Sequence, residues 1–195
     1  MAMKLWLIRH GLTALGEAGK YQGRLDEGLS AAGRVQLLCA GWKPEHVYVS
    51  PALRAKETAA ILFPEARKIE VPGLREMDFG VFEGRSWQEM EHDEQYRAWV
   101  DGGCEGQCPG GENRADFTAR VCAAVEGILQ AEAGTGCEDT VIVAHGGTQM
   151  AALERWGTPR REYYRWQTRC GRGWLLEWNQ AEQTLQVLEQ IGFPA

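Results

Sequence analysis

Two arginines and two histidines follow short apolar runs and have the chemistry to bind an anion. Arg9 and His10 follow LWLI, Arg54 comes soon after Ser50 at the end of HVYVS, and His145 follows VIVA. Each residue alone has an ordinary structural explanation, but positive groups crowded at one site repel one another unless an anion lies between them. Guanidinium groups bind phosphate oxygens in pairs, and a helix N-terminus adds N–H donors. The residue types therefore indicate a phosphate site.

The predicted strands would bring these residues together. Apolar runs of strand length alternate with segments of helical periodicity, which predicts parallel strands joined by helical crossovers. Ligands of open parallel sheets gather beyond the carboxyl ends of the strands, where these residues stand. We predict an α/β fold, a three-layer sandwich whose mostly parallel sheet is flanked by helices. Its strands are KLWLIR, HVYVS, RKIEV, DTVIVA and a C-terminal antiparallel hairpin in GWLLEWNQAEQTLQVLEQIG.

Three helices and one irregular segment complete the prediction. The first helix opens near Ser30 and carries Leu37 and Leu38, and the second, PALRAKETAAILF, has Pro51 in its first turn. The third is the long segment NRADFTARVCAAVEGILQAEA, with apolar residues every three or four positions. Between residues 78 and 111 the pattern breaks into short helices and a glycine-rich loop. We expect one domain over residues 1–195, with 78–111 as a lid or substrate-selecting insert.

Composition limits the classes of partner. The 195 residues carry a net charge of -6, which argues against a nucleic-acid surface, and no apolar run approaches the ~18 residues of a membrane span. We therefore expect a cytoplasmic protein without nucleic-acid or membrane partners. The six cysteines match no disulfide or metal pattern, so we predict free thiols. A redox pair of Cys104 and Cys108 is the alternative.

The ordered motifs LIRHGLT, YQGRLDEGLSAAG, SPALRAKETA, LREMDFGVFEG and VAHGG resemble those of the histidine phosphatase superfamily, which includes the phosphoglycerate mutases. The resemblance implies that His10 is the nucleophile that forms a phosphohistidine, with Arg9, Arg54 and His145 lining the phosphate pocket. Neighbouring arginines would keep the His10 imidazole neutral and nucleophilic, and they would stabilise the charge of the transferring phosphoryl group.

The same resemblance implies a general acid and a substrate loop. Glu76 would protonate the leaving alkoxide and later activate water, because burial and a phosphate dianion would favour its protonated form. The alternative is that Glu76 only pairs with an arginine. Gln22, Gly23 and Gly146 would bind substrate. Family members commonly have an Asn where this chain has Gly16, so one usual phosphate ligand is missing.

The short chain favours a phosphatase over a mutase, because mutases of this family carry extra segments that exclude water from the site. The C-terminal segment together with EMDFGVFEG resembles the α-ribazole phosphatase branch, which acts on a nucleotide-like intermediate of the cobalamin lower loop. Trp87 or Trp99 could then stack on a benzimidazole base, although core packing is the alternative. A broad sugar-phosphate phosphatase, a phosphoglycerate mutase and a phosphate-binding pseudoenzyme stay open. We expect no metal and no cofactor, and the residues carry no indication of oligomeric state.

Overall fold

Seven strands form one sheet in the computed structural model, which describes residues 3–193. Their spatial order is β3-β2-β4-β1-β6-β7-β5. In chain order they are β1 (Met3–Arg9), β2 (His46–Val49), β3 (Arg67–Glu70), β4 (Asp139–Ala144), β5 (Gly157–Thr158), β6 (Arg172–Asn179) and β7 (Thr184–Gly192).

The sheet is mixed, with a parallel half and an antiparallel half. Strands β3, β2, β4 and β1 pair in parallel, whereas β6 runs antiparallel to both β1 and β7. This arrangement confirms the predicted parallel sheet with a C-terminal hairpin. The two-residue strand β5 was not predicted, because it is too short for a periodic pattern, and it pairs in parallel with β7.

Helices cover both faces of the sheet. They are α1 (Ala14–Glu17), α2 (Ala31–Val35), α3 (Leu53–Leu62), α4 (Glu94–Asp101), α5 (Arg114–Ala133) and α6 (Gly146–Trp156). Two details of the predicted helices are wrong. Helix α2 ends before Leu37 and Leu38, and Pro51 precedes the N-cap of α3 instead of standing in its first turn.

Two apolar cores, one on each side of the sheet, hold these layers together. On one side Phe117, Val121 and Val125 of α5 are fully buried at the predicted helical spacing. On the other side the small residues Ala55 and Ala59 let α3 approach β2 closely. Burial of each large apolar side chain contributes about 1.5–3 kcal/mol to the stability of the fold. Because protein cores are closely packed, they also hold the ends of the strands in fixed positions.

Segment 78–111 packs on the larger core and borders the site described below. It contains short 3-10 turns, helix α4 and a loop, and the side chains of Tyr96 and Trp99 on α4 are buried. Its role as a lid or substrate-selecting insert stays a prediction. All six cysteines are free thiols. Within residues 3–193 no helix is long and apolar enough to cross a membrane.

Candidate active site

The carboxyl ends of three adjacent parallel strands, β2, β4 and β1, meet at one rim of the sheet. His10 follows β1 and His145 follows β4, and their ring centroids lie 5.3 Å apart. A cavity of about 380 Å³ opens beside them, with Arg9, His10 and Arg54 on its wall. The predicted convergence of the strand ends is therefore observed, because the parallel register carries all these residues to the same edge.

One ring nitrogen of His10 forms a hydrogen bond with the backbone, and the other carries the lone pair that can act as a nucleophile. Nδ1 lies 2.7 Å from the carbonyl oxygen of Gly11, and since a carbonyl only accepts, Nδ1 carries the proton. The lone pair of the neutral ring then resides on Nε2. Burial lowers the pKa of His10 well below its ordinary value, and the charges of Arg54 and Arg9 lower it further. Burial, not the arginines alone, is thus the main reason that the ring stays neutral.

Backbone carbonyls fix both arginine side chains. Arg54 is buried, and its Nη1 and Nη2 donate to the carbonyl oxygens of Leu25 and Gly23 at 2.9 and 2.8 Å. Nη1 of Arg9 donates to the carbonyl oxygen of Thr168 at 2.5 Å. Both guanidinium groups are therefore oriented before any ligand binds, which limits the entropy lost when they bind an anion.

His145 stands behind His10 and not on the surface of the cavity. The residue is fully buried, and its Nε2 lies 2.7 Å from the hydroxyl oxygen of Ser50. Burial lowers the pKa of His145 well below its ordinary value, with Arg54 and His10 contributing in the same direction. A neutral ring donates through one nitrogen only, and the Ser50 hydroxyl can either accept from Nε2 or donate to it, so the direction of this hydrogen bond and the tautomer of His145 are set together. Donation from His145 to a bound phosphate stays a prediction.

The carboxylate of Glu76 faces the same cavity and is held by two backbone N–H groups. Oε1 accepts from Met77 N at 3.0 Å, and Oε2 accepts from Gly147 N, in the first turn of α6, at 3.3 Å. Within residues 3–193, neither Arg54 nor Arg75 forms a salt bridge with Glu76. The alternative in which Glu76 serves only as an ion-pair partner is therefore not observed.

The sequence predicts a strand over DTVIVA but no helix directly after it, so the start of α6 at this point is seen only in the structure. Gly146 and Gly147 open the helix directly after His145. A Cβ at Gly146 would stand 3.4 Å from the Arg9 guanidinium, an ordinary contact, whereas one at Gly147 would overlap the Glu76 carboxylate. A second helix N-terminus thus adds oriented N–H groups and positive potential to the site.

Arg120 of α5 positions the segment that carries Glu76, and sequence reasoning missed it. Its guanidinium donates to the carbonyl oxygens of Gly73, Arg75 and Glu76 at 3.0, 3.0 and 3.4 Å. It also makes a paired contact with both carboxylate oxygens of Glu112, at 3.0 and 2.8 Å. No motif links α5 to this segment, so only the tertiary structure reveals the contact.

The predicted substrate loop borders the cavity, and its residues form hydrogen bonds with neighbouring protein groups. Gln22 accepts from the Thr13 hydroxyl at 3.0 Å, and the carbonyl of Gly23 is a partner of Arg54. Gly16, where the family commonly has Asn, lines the cavity, and its N–H donates to Thr13. Gln22, Gly23 and Gly146 therefore all lie at the site, and their contact with substrate stays a prediction.

The outer part of the cavity has an aromatic wall and two cations that are already paired. Lys20 contacts Glu89 at 3.2 Å, and Arg114 contacts Glu105 at 2.6 Å. Apart from Phe117, the aromatic residues that line the cavity are Tyr21, Phe79, Trp87, Trp99, Tyr163 and Tyr164. This outer part can therefore accommodate a flat, largely uncharged group.

The two tryptophans of this wall differ in exposure. Trp99 is only 7% exposed, and its Nε1 donates to the carbonyl oxygen of Gly106. Trp87 is 56% exposed and lines the cavity rim. Both tryptophans line the cavity, and Trp87 offers much the larger exposed ring surface for stacking.

Comparison with known proteins agrees with this geometry. A family model described as the histidine phosphatase superfamily (branch 1) matches residues 5–190. A putative phosphoserine phosphatase 2 of Hydrogenobacter thermophilus is 32% identical over 77% of this chain and 76% of its own length. The adenosylcobalamin/α-ribazole phosphatase of Salmonella typhimurium is 31% identical over 78% of this chain and 79% of its own length.

A metal-independent phosphoserine phosphatase of Arabidopsis thaliana is 33% identical over 76% of this chain and 66% of its own length. The solved α-ribazole phosphatase of Shigella flexneri superimposes with a TM-score of 0.79 at 28% identity, covering 95% of this chain and 96% of that one. These similarities extend across both the sheet and the site.

Proposed function

The chain belongs to the histidine phosphatase superfamily and is a metal-independent phosphatase, and we propose that it hydrolyses small phosphomonoesters through a phosphohistidine on His10. One observation carries the proposal. The Nδ1–H of His10 donates to Gly11, which leaves the Nε2 lone pair of a neutral ring beside two oriented guanidinium groups. A neutral imidazole is a competent nucleophile, and positive groups stabilise the phosphoryl transition state.

In the first half-reaction Nε2 of His10 attacks phosphorus, and the bond from phosphorus to the leaving oxygen breaks. Arg9 and Arg54 bind the equatorial oxygens, and the positive potential at the N-terminus of α6 also stabilises their negative charge. Glu76, in its protonated form, transfers its proton to the leaving alkoxide. The products are an alcohol and a phosphohistidine.

In the second half-reaction water replaces the alcohol in the same place. Glu76, now a carboxylate, accepts a proton from water as the oxygen attacks phosphorus. The bond between Nε2 and phosphorus breaks, inorganic phosphate leaves, and His10 returns to its neutral form. Because Glu76 holds one proton at the start and regains one at the end, the cycle closes without a metal ion or an external base.

The outer cavity favours a substrate with a flat, uncharged leaving group. The charges of Lys20 and Arg114 are compensated by carboxylates, so a substrate carboxylate gains little there, whereas the aromatic wall offers stacking area. α-Ribazole 5′-phosphate, which carries a benzimidazole base, fits this chemistry. The similarity to the α-ribazole phosphatases of Salmonella typhimurium and Shigella flexneri supports the same substrate.

Phosphoserine is the second candidate, because two relatives are named phosphoserine phosphatases and Arg114, one of the two cations of the outer cavity, could bind the phosphoserine carboxylate. Steady-state kinetics on α-ribazole 5′-phosphate, phosphoserine, sugar phosphates and 2- and 3-phosphoglycerate, scored for phosphate release and for isomerisation, separate these candidates. A higher kcat/KM for phosphoserine than for α-ribazole 5′-phosphate would reject the aromatic substrate.

The covalent step is tested with a chromogenic phosphomonoester in the presence of a chelator. We expect turnover in wild type, its loss in His10→Ala, and acid-labile phosphate on His10 after rapid quenching. Turnover that persists in His10→Ala would reject the nucleophile. A wild-type protein that binds phosphate without turnover would reject the enzyme in favour of a pseudoenzyme.

Stacking on the cavity rim is tested at Trp87. Trp87→Ala should lower kcat/KM for a nucleotide-like substrate roughly tenfold and leave a phenyl phosphate nearly unaffected, because stacking contributes about 1–3 kcal/mol per base. Trp87→Phe keeps an aromatic face and is the matched control. An unchanged ratio between the two substrates in Trp87→Ala would contradict the stacking.

A further inference from the structure

A single carboxylate, that of Glu83, organises the loop that holds Arg54. Its Oε1 accepts from Arg24 N at 2.8 Å and from Phe79 N at 3.1 Å, and its Oε2 accepts from Leu25 N at 3.0 Å. We propose that Glu83 is a positioning residue for Arg54, acting through the backbone of residues 23–25. The inference rests on the proposed role of Arg54 in binding the phosphoryl group.

The peptide group between Gly23 and Arg24 connects the two side chains directly. Its N–H donates to Glu83, and its carbonyl oxygen accepts from Nη2 of Arg54 at 2.8 Å. The carboxylate, the peptide dipole and the guanidinium are therefore arranged in series, so each hydrogen bond polarises and strengthens the next. Leu25 is bonded to both side chains through two different peptide groups: its carbonyl oxygen accepts from Nη1 of Arg54 at 2.9 Å, and its N–H donates to Oε2 of Glu83 at 3.0 Å.

Gly23 is required for this close approach. Its φ of +49° is a left-handed conformation that glycine adopts at little cost, and a Cβ at this position would overlap the Glu83 carboxylate. The glycine of the predicted substrate loop thus serves a second purpose, because it lets the loop lie against Glu83. The geometry of the loop and the position of Arg54 are consequently set together.

Glu83 lies within segment 78–111, and its bond from Phe79 N is internal to that segment. Its bonds from Arg24 N and Leu25 N therefore join the 23–25 loop to segment 78–111, and Phe79 of that segment lines the cavity. Asp93 provides a matched control within that segment, tested as Asp93→Asn. It too accepts from backbone N–H groups, those of Gln95 and Tyr96 at 3.1 and 3.3 Å, but none of its hydrogen bonds or ion pairs reaches residues 23–25 or Arg54.

The test is a double-mutant cycle on Glu83 and Arg54. Glu83→Gln keeps the side-chain shape but has one oxygen, so it cannot accept from both Leu25 N and the other two N–H groups. We expect kcat/KM to fall roughly 10- to 100-fold, because a small displacement of a catalytic group has effects of this size. Inhibition by inorganic phosphate and by vanadate should weaken in parallel, and Asp93→Asn should change neither quantity more than about twofold.

In an Arg54→Lys background, Glu83→Gln should lower kcat/KM by less than about twofold, because the group that it positions is already lost. An equal loss of kcat/KM from Glu83→Gln in the wild-type and Arg54→Lys backgrounds would overturn the inference. Full activity of Glu83→Gln, when Arg54→Lys is impaired, would also overturn it. Full activity in Arg54→Lys would instead reject the proposed role of Arg54. Glu83→Asp keeps both carboxylate oxygens on a shorter side chain, so its kcat/KM should lie between those of wild type and Glu83→Gln. Glu83→Asp replaces Glu83→Gln in the cycle if circular dichroism shows that Glu83→Gln is unfolded.

Discussion

Replacing Gly147 by Ala should separate proton donation by Glu76 from the rest of catalysis. A Cβ at this position would overlap Oε1 of Glu76 and stand 2.7 Å from Cζ of Phe117, whereas ordinary contacts begin at 3.4 Å. The Phe117 ring is fully buried and cannot retreat easily, so the carboxylate moves by about 1 Å and loses its bond to Gly147 N.

A displacement of about 1 Å costs on the order of 100-fold in rate when the displaced group takes part in the chemistry. We therefore expect kcat for an alkyl phosphomonoester to fall roughly 100-fold in Gly147→Ala, because its leaving alkoxide requires a proton. A p-nitrophenyl ester, whose leaving phenolate needs little protonation, should lose less than about tenfold. Overpacking against Phe117 should also lower the free energy of unfolding by about 1–3 kcal/mol.

Gly146→Ala is the control, because its Cβ would make only an ordinary 3.4 Å contact with Arg9. Steady-state kinetics on both esters and urea unfolding should be measured for the two variants. Equal losses on the alkyl and p-nitrophenyl esters would refute the assignment of proton donation to Glu76. A loss in Gly146→Ala as large as that in Gly147→Ala would refute the steric argument.

Three further predictions concern groups around the site and away from it. Burial raises the pKa of Glu132, but hydrogen bonds from Tyr48 and His46 outweigh burial and lower that pKa below 4.5. Glu132→Gln should therefore lower the free energy of unfolding by about 1–2 kcal/mol at pH 7. Urea unfolding should show this deficit shrinking as the pH falls below about 4.5, because Glu132 is protonated first in the unfolded wild type and, below its lowered pKa, in the folded protein as well. A constant deficit would contradict the linkage. Arg120→Met should lower kcat for alkyl phosphomonoesters roughly tenfold or more, because it removes the hydrogen bonds that hold the segment carrying Glu76. The p-nitrophenyl ester is measured beside them, and an equal loss of kcat on both kinds of ester would contradict a role of Arg120 in positioning Glu76. Glu105→Gln should raise kcat/KM for phosphoserine a few-fold, because it frees Arg114 from an ion pair with Glu105. The gain is small because a surface ion pair is worth about 1 kcal/mol or less. An unchanged kcat/KM would show that Arg114 does not reach the substrate.

The sequence by itself determined a mostly parallel sheet and the edge of that sheet, at the carboxyl ends of the strands, where the candidate active site lies. Strand periodicity and helical spacing are local properties, and the parallel register then carries the ends of β1, β2 and β4 to one edge. For that reason Arg9, His10 and Arg54 could be predicted together before any contact was known. The ordered motifs pointed to the same residues.

Only the tertiary structure decided how these side chains are held. Arg120 and Glu83 lie on segments far in sequence from the groups they position, and no periodicity connects them. The pKa of His10 likewise depends mainly on burial, which arises when the whole core packs around the ring. Local pattern therefore predicts which residues reach the site, whereas non-local hydrogen bonds and desolvation determine their orientation and charge.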